Sequence, residues 1–183
     1  MSVLGISGSM RKNGNTALLV TTILDRVREA GIETDYLTLA GMDIRPCTGC
    51  EACKSAKWCV TEDDDWAGIA EKMIDCEVLI LGAPTYYYDI NGQTKNLIDR
   101  TYSLYHDRRL AGRKAVAVAV CADRGGERAL ETMEGFLNSH EFSYLGYVCG
   151  RGYAPGDVRK DERAMKRARQ VADTIIRYLR PED

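Results

Sequence analysis

Short apolar runs spaced along the whole chain constrain its fold more than any other feature. Each run is followed by turn residues and then by a stretch whose apolar residues recur at helical spacing. A strand–helix pattern that repeats in this way predicts a parallel sheet covered by helices on both faces. Strands are predicted at residues 3–6, 34–39, 77–81, 114–121 and 143–148.

Helices are predicted in the intervals between these strands and after the last one. The first begins near Asn15 and Thr16, whose side chains suit an N-terminal cap, and it ends before Gly31. The acidic run at residues 62–65 is expected to cap the second helix and otherwise to face solvent. The other helices are predicted at residues 66–73, 93–102, 128–138 and 161–179.

Length and charge exclude several classes of function. A chain of 183 residues can bury one sizeable core, so a single domain over residues 1–183 is expected. The formal net charge is −2, which gives no positive field to attract nucleic acid. No apolar run approaches the ~20 residues of a membrane span. We therefore expect a cytoplasmic protein that binds neither nucleic acid nor a membrane.

The loop after the first strand is small, polar and glycine-containing. Residues 7–16 read SGSMRKNGNT and open a helix, whose first backbone N–H groups attract an anion. The hydroxyls of Ser9 and Thr16 and the guanidinium of Arg11 add donors. The loop lacks both Gly-Lys-Ser/Thr and Gly-x-Gly-x-x-Gly, which favours a monophosphate ligand. An ordinary capped turn is the alternative.

Three adjacent tyrosines follow the third strand. Residues 82–92 read GAPTYYYDING, and Tyr86, Tyr87 and Tyr88 cannot all be core because alternate side chains of an extended chain face opposite ways. A flat aromatic ligand would explain them, and so would a tyrosine-rich subunit interface. Ligands of open parallel sheets bind beyond the carboxyl ends of the strands. The two loops are therefore expected to meet there.

These loops resemble those of the NADPH-dependent FMN reductases, a branch of the flavodoxin-like fold. The shared motifs are Gly8-Ser9-x-Arg11-x-x-Gly14-Asn15-Thr16, Ala83-Pro84-x-Tyr86-Tyr87, Lys95 and the helix at 96–100. The resemblance implies an α/β, flavodoxin-like, five-stranded parallel sheet of order 2-1-3-4-5 with helices on both faces. It implies bound FMN, with its phosphate held by Ser9, Arg11, Asn15 and Thr16. The residues that would line the isoalloxazine are Pro84, Thr85, Tyr86, Tyr87, Tyr88, Asn91 and Gly92. Residues 122–126 would close the other side of the flavin.

Four of the seven cysteines fall within thirteen residues, at Cys47, Cys50, Cys53 and Cys59. In a reducing compartment such a group indicates thiolate chemistry rather than disulfides. Four thiolates suit a cubane iron–sulfur cluster, and they also satisfy a tetrahedral zinc ion. Zinc sites usually use two C-x-x-C pairs that are well separated in sequence, whereas three of these cysteines fall within seven residues. A thiol loop that binds nothing is the third alternative.

Residues 46–60 are similar to the compact cysteine motif of the iron–sulfur flavoproteins, a subfamily of these reductases. The resemblance implies a [4Fe–4S] cluster held by Cys47, Cys50, Cys53 and Cys59, although the spacing before Cys59 differs from that of bacterial ferredoxins. The remaining cysteines, Cys76, Cys121 and Cys149, are expected to be small core residues. The two histidines, His106 and His140, are expected to be isolated from the cysteine run.

The resemblance also implies a reaction. Electrons would pass singly from a ferredoxin-type donor through the cluster to FMN, and on to oxygen, peroxide or a quinone. A homodimer or homotetramer is implied, with FMN at a subunit interface. Two rival functions stay open: an NAD(P)H-dependent FMN or quinone reductase without a cluster, and a non-catalytic redox-sensing flavin module.

Overall fold

A five-stranded parallel sheet forms the centre of the molecule. The computed structural model describes residues 2–181. The strands are β1 (Ser2–Ser7), β2 (Glu33–Thr38), β3 (Val78–Tyr86), β4 (Asp89–Ile90), β5 (Lys114–Cys121) and β6 (Ser143–Arg151). The parallel strands lie in the order β2-β1-β3-β5-β6, and β4 pairs antiparallel with β3. Without the two-residue β4 this is the predicted order 2-1-3-4-5, and the predicted fold class is confirmed.

Helices cover both faces of the sheet. They are α1 (Asn15–Glu29), α2 (Cys53–Ala56), α3 (Trp66–Asp75), α4 (Gly92–Arg100), α5 (Tyr102–Tyr105), α6 (Gly126–Ser139) and α7 (Glu162–Leu179), with a 3-10 turn at Asp157–Lys160. All the predicted helices are present. The sequence did not reveal α2, α5 and the 3-10 turn, because one turn is too short to show helical periodicity. No helix within residues 2–181 is long and apolar enough to cross a membrane.

The prediction placed the end of the third strand too early. It ended at residue 81, whereas β3 continues to Tyr86. Thr85 and Tyr86 pair with Ile90 and Asp89, so β3 and β4 form a hairpin beyond the edge of the parallel sheet. The first tyrosine of the triplet is therefore part of a strand.

Alternating side chains divide the core into two layers. Val3 and Ile80 pack towards α1 and α7, whereas their chain neighbours Leu4 and Leu79 pack towards α3, α4 and α6. All four are at least 99% buried. Complete burial of such a side chain contributes about 1.5–3 kcal/mol, so the two layers together fix the register of the sheet.

A buried ion pair fixes the long connection between β2 and α3. The side chains of Arg100 and Asp64 are 0% and 2% exposed, and both Nη atoms of Arg100 donate to the Asp64 carboxylate. Arg100 also donates to the carbonyls of Arg45 (2.8 Å) and Thr61 (3.3 Å). The expectation that residues 62–65 only cap a helix and face solvent is thus wrong for Asp64, because Arg100 is contributed by a distant helix.

The hydrogen bonds that Asp64 accepts also lower its pKa. Burial alone raises the pKa of the carboxyl group, but it accepts hydrogen bonds from Arg100 and from the backbone N–H groups of Arg45 and Trp66. The pKa of Asp64 is therefore held below its ordinary value. The guanidinium carbon of Arg100 lies 5.3 Å from the centre of the Trp66 ring, which adds a cation–π contact.

His140 makes the stability of the fold depend on pH. It is buried at the end of α6, 3.0 Å from Thr101 Oγ1, and burial lowers its pKa to about 4. In the unfolded chain the imidazole of His140 binds a proton near pH 6.5. The contribution of neutral, buried His140 to stability is therefore fully present above that pH and is lost as the pH falls towards 4.

We expect His140→Gln to remove part of this pH dependence. Between pH 7.5 and 4 the wild-type chain should lose roughly 3 kcal/mol of unfolding free energy through His140 alone. Denaturant titrations of both proteins at the two pH values measure the difference. Equal losses in the two proteins would contradict the assignment.

Candidate functional site

A cavity of about 190 Å³ lies beyond the carboxyl ends of the parallel strands. The predicted phosphate and tyrosine loops meet there, together with segments that follow β5 and β6. Gly152 and Tyr153, which follow β6, were not among the predicted site residues. The lining residues are Ser9, Arg11, Gly14, Asn15, Thr16, Pro84, Thr85, Tyr86, Val120, Ala122, Gly152 and Tyr153.

Two glycines allow the phosphate loop to fold tightly. A Cβ at Gly8 would lie 1.8 Å from Thr94 Oγ1, and one at Gly14 would lie 3.0 Å from Ser9 Oγ. The Gly8 N–H donates to the carbonyl of Gly82 at 2.7 Å, which ties the loop to β3. Gly14 precedes the first turn of α1, so the unpaired N–H groups of that turn lie at the cavity.

The side chain of Asn15 does not cap α1 as predicted. Gly14 holds the cap position, and the Asn15 side chain reaches the segment after β6 instead. Its Nδ2 donates to the Ala154 carbonyl at 2.9 Å, and its Oδ1 accepts from the Val158 N–H at 3.3 Å. The Asn15 side chain, which was predicted to hold the phosphate, is thus bonded within the protein. Arg11 makes a similar link, because its Nη1 donates to the Tyr153 carbonyl at 3.1 Å.

Asn91 supports the phosphate loop from below. It is buried, and its Nδ2 donates to the Gly8 carbonyl at 2.8 Å while its Oδ1 accepts from Thr94 Oγ1 at 2.6 Å. It was predicted to line the isoalloxazine, but its side-chain amide is bonded within the protein. Gly92 is the first residue of α4 and is exposed. Asn91 and Gly92 lie outside the cavity lining.

Tyr87 and Tyr88 form the turn between β3 and β4. Their φ angles are 50° and 69°, in the left-handed region that costs an L-residue about 1–2 kcal/mol. Their side chains are nevertheless exposed, Tyr87 completely. Gly125, with φ 90°, packs so closely that a Cβ there would lie 2.5 Å from Tyr88 Cα. Backbone strain held in place under exposed aromatic rings is typical of a ligand site.

A second cavity brings together the four clustered cysteines. Cys47, Cys50, Cys53 and Cys59 all line it, beside Arg100 at the end of α4. Left-handed backbone at Gly49 and Glu51 turns the chain twice between the first and third cysteine. Within residues 2–181, no three His, Cys, Asp or Glu side chains are placed to hold one metal ion. The thiols thus surround one space, but they do not converge on a point within it.

His106 contacts one of the four clustered cysteines, which contradicts the prediction that it is isolated. Its Nε2 is 3.7 Å from Cys53 Sγ. The ring is held edge-on against Tyr102, with 4.6 Å between ring centres. No local pattern indicated this contact, because α5 is a single turn that was not recognised, and it is α5 that returns the chain to the cysteines.

The family of the chain follows from three comparisons. Residues 1–153 match the model of the NADPH-dependent FMN reductases. An iron–sulfur flavoprotein of Methanocaldococcus jannaschii is 35% identical, over 98% of this chain and 98% of its own length. One of Methanosarcina thermophila is 32% identical, over 80% of this chain and 78% of its own length.

The chain belongs to the NADPH-dependent FMN reductase family. Within that family it belongs to the iron–sulfur flavoproteins, and it is a flavin oxidoreductase. Among solved structures, an NAD(P)H:quinone oxidoreductase of Methanothermobacter marburgensis superposes with a TM-score of 0.73 at 17% identity. The superposition covers 100% of this chain and 98% of that one, and it shows the shared fold.

The cysteines of this flavin oxidoreductase differ in thiol chemistry. Hydrogen bonds from the Ala52 N–H and the Thr48 hydroxyl lower the pKa of Cys50. Burial raises the pKa of Cys76 to about 12, which agrees with its predicted place in the core. Cys121 is buried and Cys149 is half-buried, and burial raises the pKa of Cys149 to about 11.

We expect the metal-free protein to show this difference on alkylation. Cys50 is exposed and its thiolate is stabilised, so it should react with iodoacetamide at pH 8 at least about tenfold faster than Cys76. Mass mapping of peptides over time measures both rates, and Cys50→Ser should remove the fast phase. Labelling of Cys76 at the rate of Cys50 would contradict the burial assigned to it.

Proposed function

We propose that the chain carries electrons from a one-electron donor of the ferredoxin type, through a [4Fe–4S] cluster and FMN, to a small acceptor such as oxygen, peroxide or a quinone. The observation that supports this most directly is the position of α4. Asn91, before its first residue, bonds the phosphate loop, and Arg100, its last residue, lines the cysteine cavity. Nine helical residues span about 13 Å, so one rigid element connects the two sites.

The residues of the cavity beyond the strands fit the phosphate end of FMN. Ser9 and Thr16 present hydroxyls that are almost fully buried, next to the positive end of α1. A Cβ at Gly14 would lie 3.0 Å from both the Arg11 carbonyl and Ser9 Oγ, so glycine lets the loop close tightly at the start of the helix. Arg11 is exposed at the rim, where its guanidinium can reach a phosphate.

The exposed tyrosines provide a surface for the flavin ring. Pro84, Thr85 and Tyr86 line the same cavity, and Tyr87 and Tyr88 continue beyond it on the hairpin. We infer that these residues hold the isoalloxazine, and that Gly92 and the 122–126 loop complete the site. Backbone N–H groups near the ring would stabilise the negative charge of reduced flavin.

The donor set of the cysteine cavity fits an iron–sulfur cluster. Each iron of a cubane takes one thiolate, and Cys47, Cys50, Cys53 and Cys59 supply four around one space. Arg100, a buried cation that is paired with Asp64, lies beside them. When bound, the cluster would supply single electrons to a flavin that accepts one or two. The four cysteines would hold it.

The assembly and its partners belong to the same proposal. We infer a single FMN-binding domain that forms a homodimer or homotetramer in the cytoplasm. Tyr102 and Tyr105 are exposed next to the cysteine cavity, where aromatic side chains suit a subunit interface. The cysteine loop of one subunit would then approach the flavin of its neighbour.

An NAD(P)H-dependent FMN or quinone reductase is the second candidate. It is favoured by the matching family, which is that of the NADPH-dependent FMN reductases, and by the fold shared with the NAD(P)H:quinone oxidoreductase of Methanothermobacter marburgensis. It predicts rapid bleaching of the flavin by NAD(P)H and no iron. A non-catalytic redox-sensing flavin module predicts reversible cysteine oxidation without consumption of any donor.

Anaerobic purification with quantitation of iron, sulfide and flavin tests the proposal. We expect about four irons and one FMN per chain, and an EPR signal after reduction by dithionite. Zinc without sulfide would contradict the cluster. Rapid NAD(P)H oxidation by iron-free protein would favour the second candidate.

We expect Gly125→Ala to weaken FMN binding. Its φ of 90° and the 2.5 Å approach of Tyr88 Cα require the tyrosine turn to move. Because the displaced turn carries the proposed flavin surface, we expect a loss of about 1.4 kcal/mol of binding free energy, which is a rise of roughly tenfold in the FMN dissociation constant. Fluorescence titration with FMN measures it.

Gly68→Ala is the matched control. Gly68 lies in α3, and nothing stands within 4 Å of the position of its Cβ. This variant should bind FMN as the wild type does. An equal effect of both substitutions, or none at Gly125, would contradict the role of the 122–126 loop.

A further inference from the structure

Arg100 keeps one buried N–H unpaired at the cysteine cavity. Its Nη1 and Nη2 atoms are used by Asp64 and by the carbonyls of Arg45 and Thr61. Its Nε has no hydrogen-bond partner among the residues that the structure describes. An unpaired buried donor destabilises the protein, because burial removes its hydrogen bond to water and no protein acceptor replaces it. Cys59 lines the same cavity as Arg100, and its sulfur is a possible hydrogen-bond acceptor on that wall.

The guanidinium of Arg100 is held firmly where it lines the cavity. The fork of Arg100 is fixed by its other hydrogen bonds, which leaves Nε in a constant position.

His106 provides a second nitrogen beside the cysteines, in contact with Cys53. Its Nε2 lies 3.7 Å from Cys53 Sγ, within the range of a hydrogen bond to sulfur. Tyr102 packs against the ring and restricts its orientation. Cys53 thus has a nitrogen within hydrogen-bond range, and Cys59 shares its cavity with the unpaired N–H of Arg100.

We propose that Arg100 and His106 are positioning residues that donate N–H hydrogen bonds to the sulfurs of Cys59 and Cys53, and so make the cluster easier to reduce. This inference rests on the proposed function, since it concerns the cluster proposed above. Reduction adds one electron, supplied by the one-electron donor, and neither breaks a bond nor moves a proton. An N–H that points at a ligating sulfur stabilises the additional negative charge, so it favours the reduced state.

The test is the midpoint potential of the cluster, measured by EPR during a redox titration with dithionite. Arg100→Lys retains the positive charge opposite Asp64 but removes the Nε–H. His106→Phe retains a ring against Tyr102 but removes the donor. At a fixed potential we expect each change to lower the ratio of reduced to oxidised cluster about tenfold, which is about 59 mV for a one-electron couple.

Arg113→Lys is the matched control. Arg113 also donates to backbone carbonyls, those of Cys76 (3.1 Å) and Arg109 (2.6 Å), but it does not line the cysteine cavity. Its substitution should leave the potential unchanged. Thermal unfolding shows whether Arg100→Lys folds. If it does not, the midpoint potential of His106→Phe tests the inference, because His106 is half-exposed and its substitution should not unfold the protein.

The possible results distinguish a failure of the proposed function from a failure of the inference about Arg100 and His106. Wild-type protein without iron and sulfide would remove the proposed function. If the wild-type protein holds iron, but its midpoint potential equals those of His106→Phe and of folded Arg100→Lys, the inference is wrong and the proposed function stands. An equal shift in the Arg113→Lys control would also overturn it, because the effect would then be structural.

Discussion

The buried ion pair between Arg100 and Asp64 is the interaction on which both sites depend. The cysteine segment lies in a long connection that contains only one short helix, so it needs an anchor from elsewhere in the fold. Arg100 supplies it through Asp64 and two backbone carbonyls. Removal of one partner of a buried pair costs about 3–5 kcal/mol, because the other charge is left unpaired. The geometry around the thiols is thus maintained by the core.

The same helix transmits this constraint to the phosphate loop. Asn91 stands at the start of α4 and bonds the Gly8 carbonyl, while Thr94 occupies the space that a side chain at Gly8 would need. A displacement of α4 would therefore disturb both sites together. If both proposed redox groups bind, this coupling is a physical reason for them to share one small domain. It also explains why glycine is needed at Gly8, where the backbone of the loop meets the helix.

Much of the fold could be predicted from the sequence, because strands and long helices carry strong periodic patterns. The bounds of β5 were predicted without error, and the long helices were placed to within a few residues. The predictions failed where a local pattern was absent or ambiguous. The single turns α2 and α5 have no periodicity, and an acidic run such as residues 62–65 reads as surface when its buried partner is 36 residues away.

The sequence by itself determined the fold class, the two loops at the carboxyl edge of the sheet and the grouping of four cysteines in one short segment. These follow from patterns among neighbouring residues, which are visible in one dimension. Only the tertiary structure decided the roles of Asn15, Asn91, Arg100 and His106. Each depends on a contact between segments far apart in the chain. The physical reason is that burial and pairing, not residue type, decide whether a polar side chain holds a ligand or holds the fold.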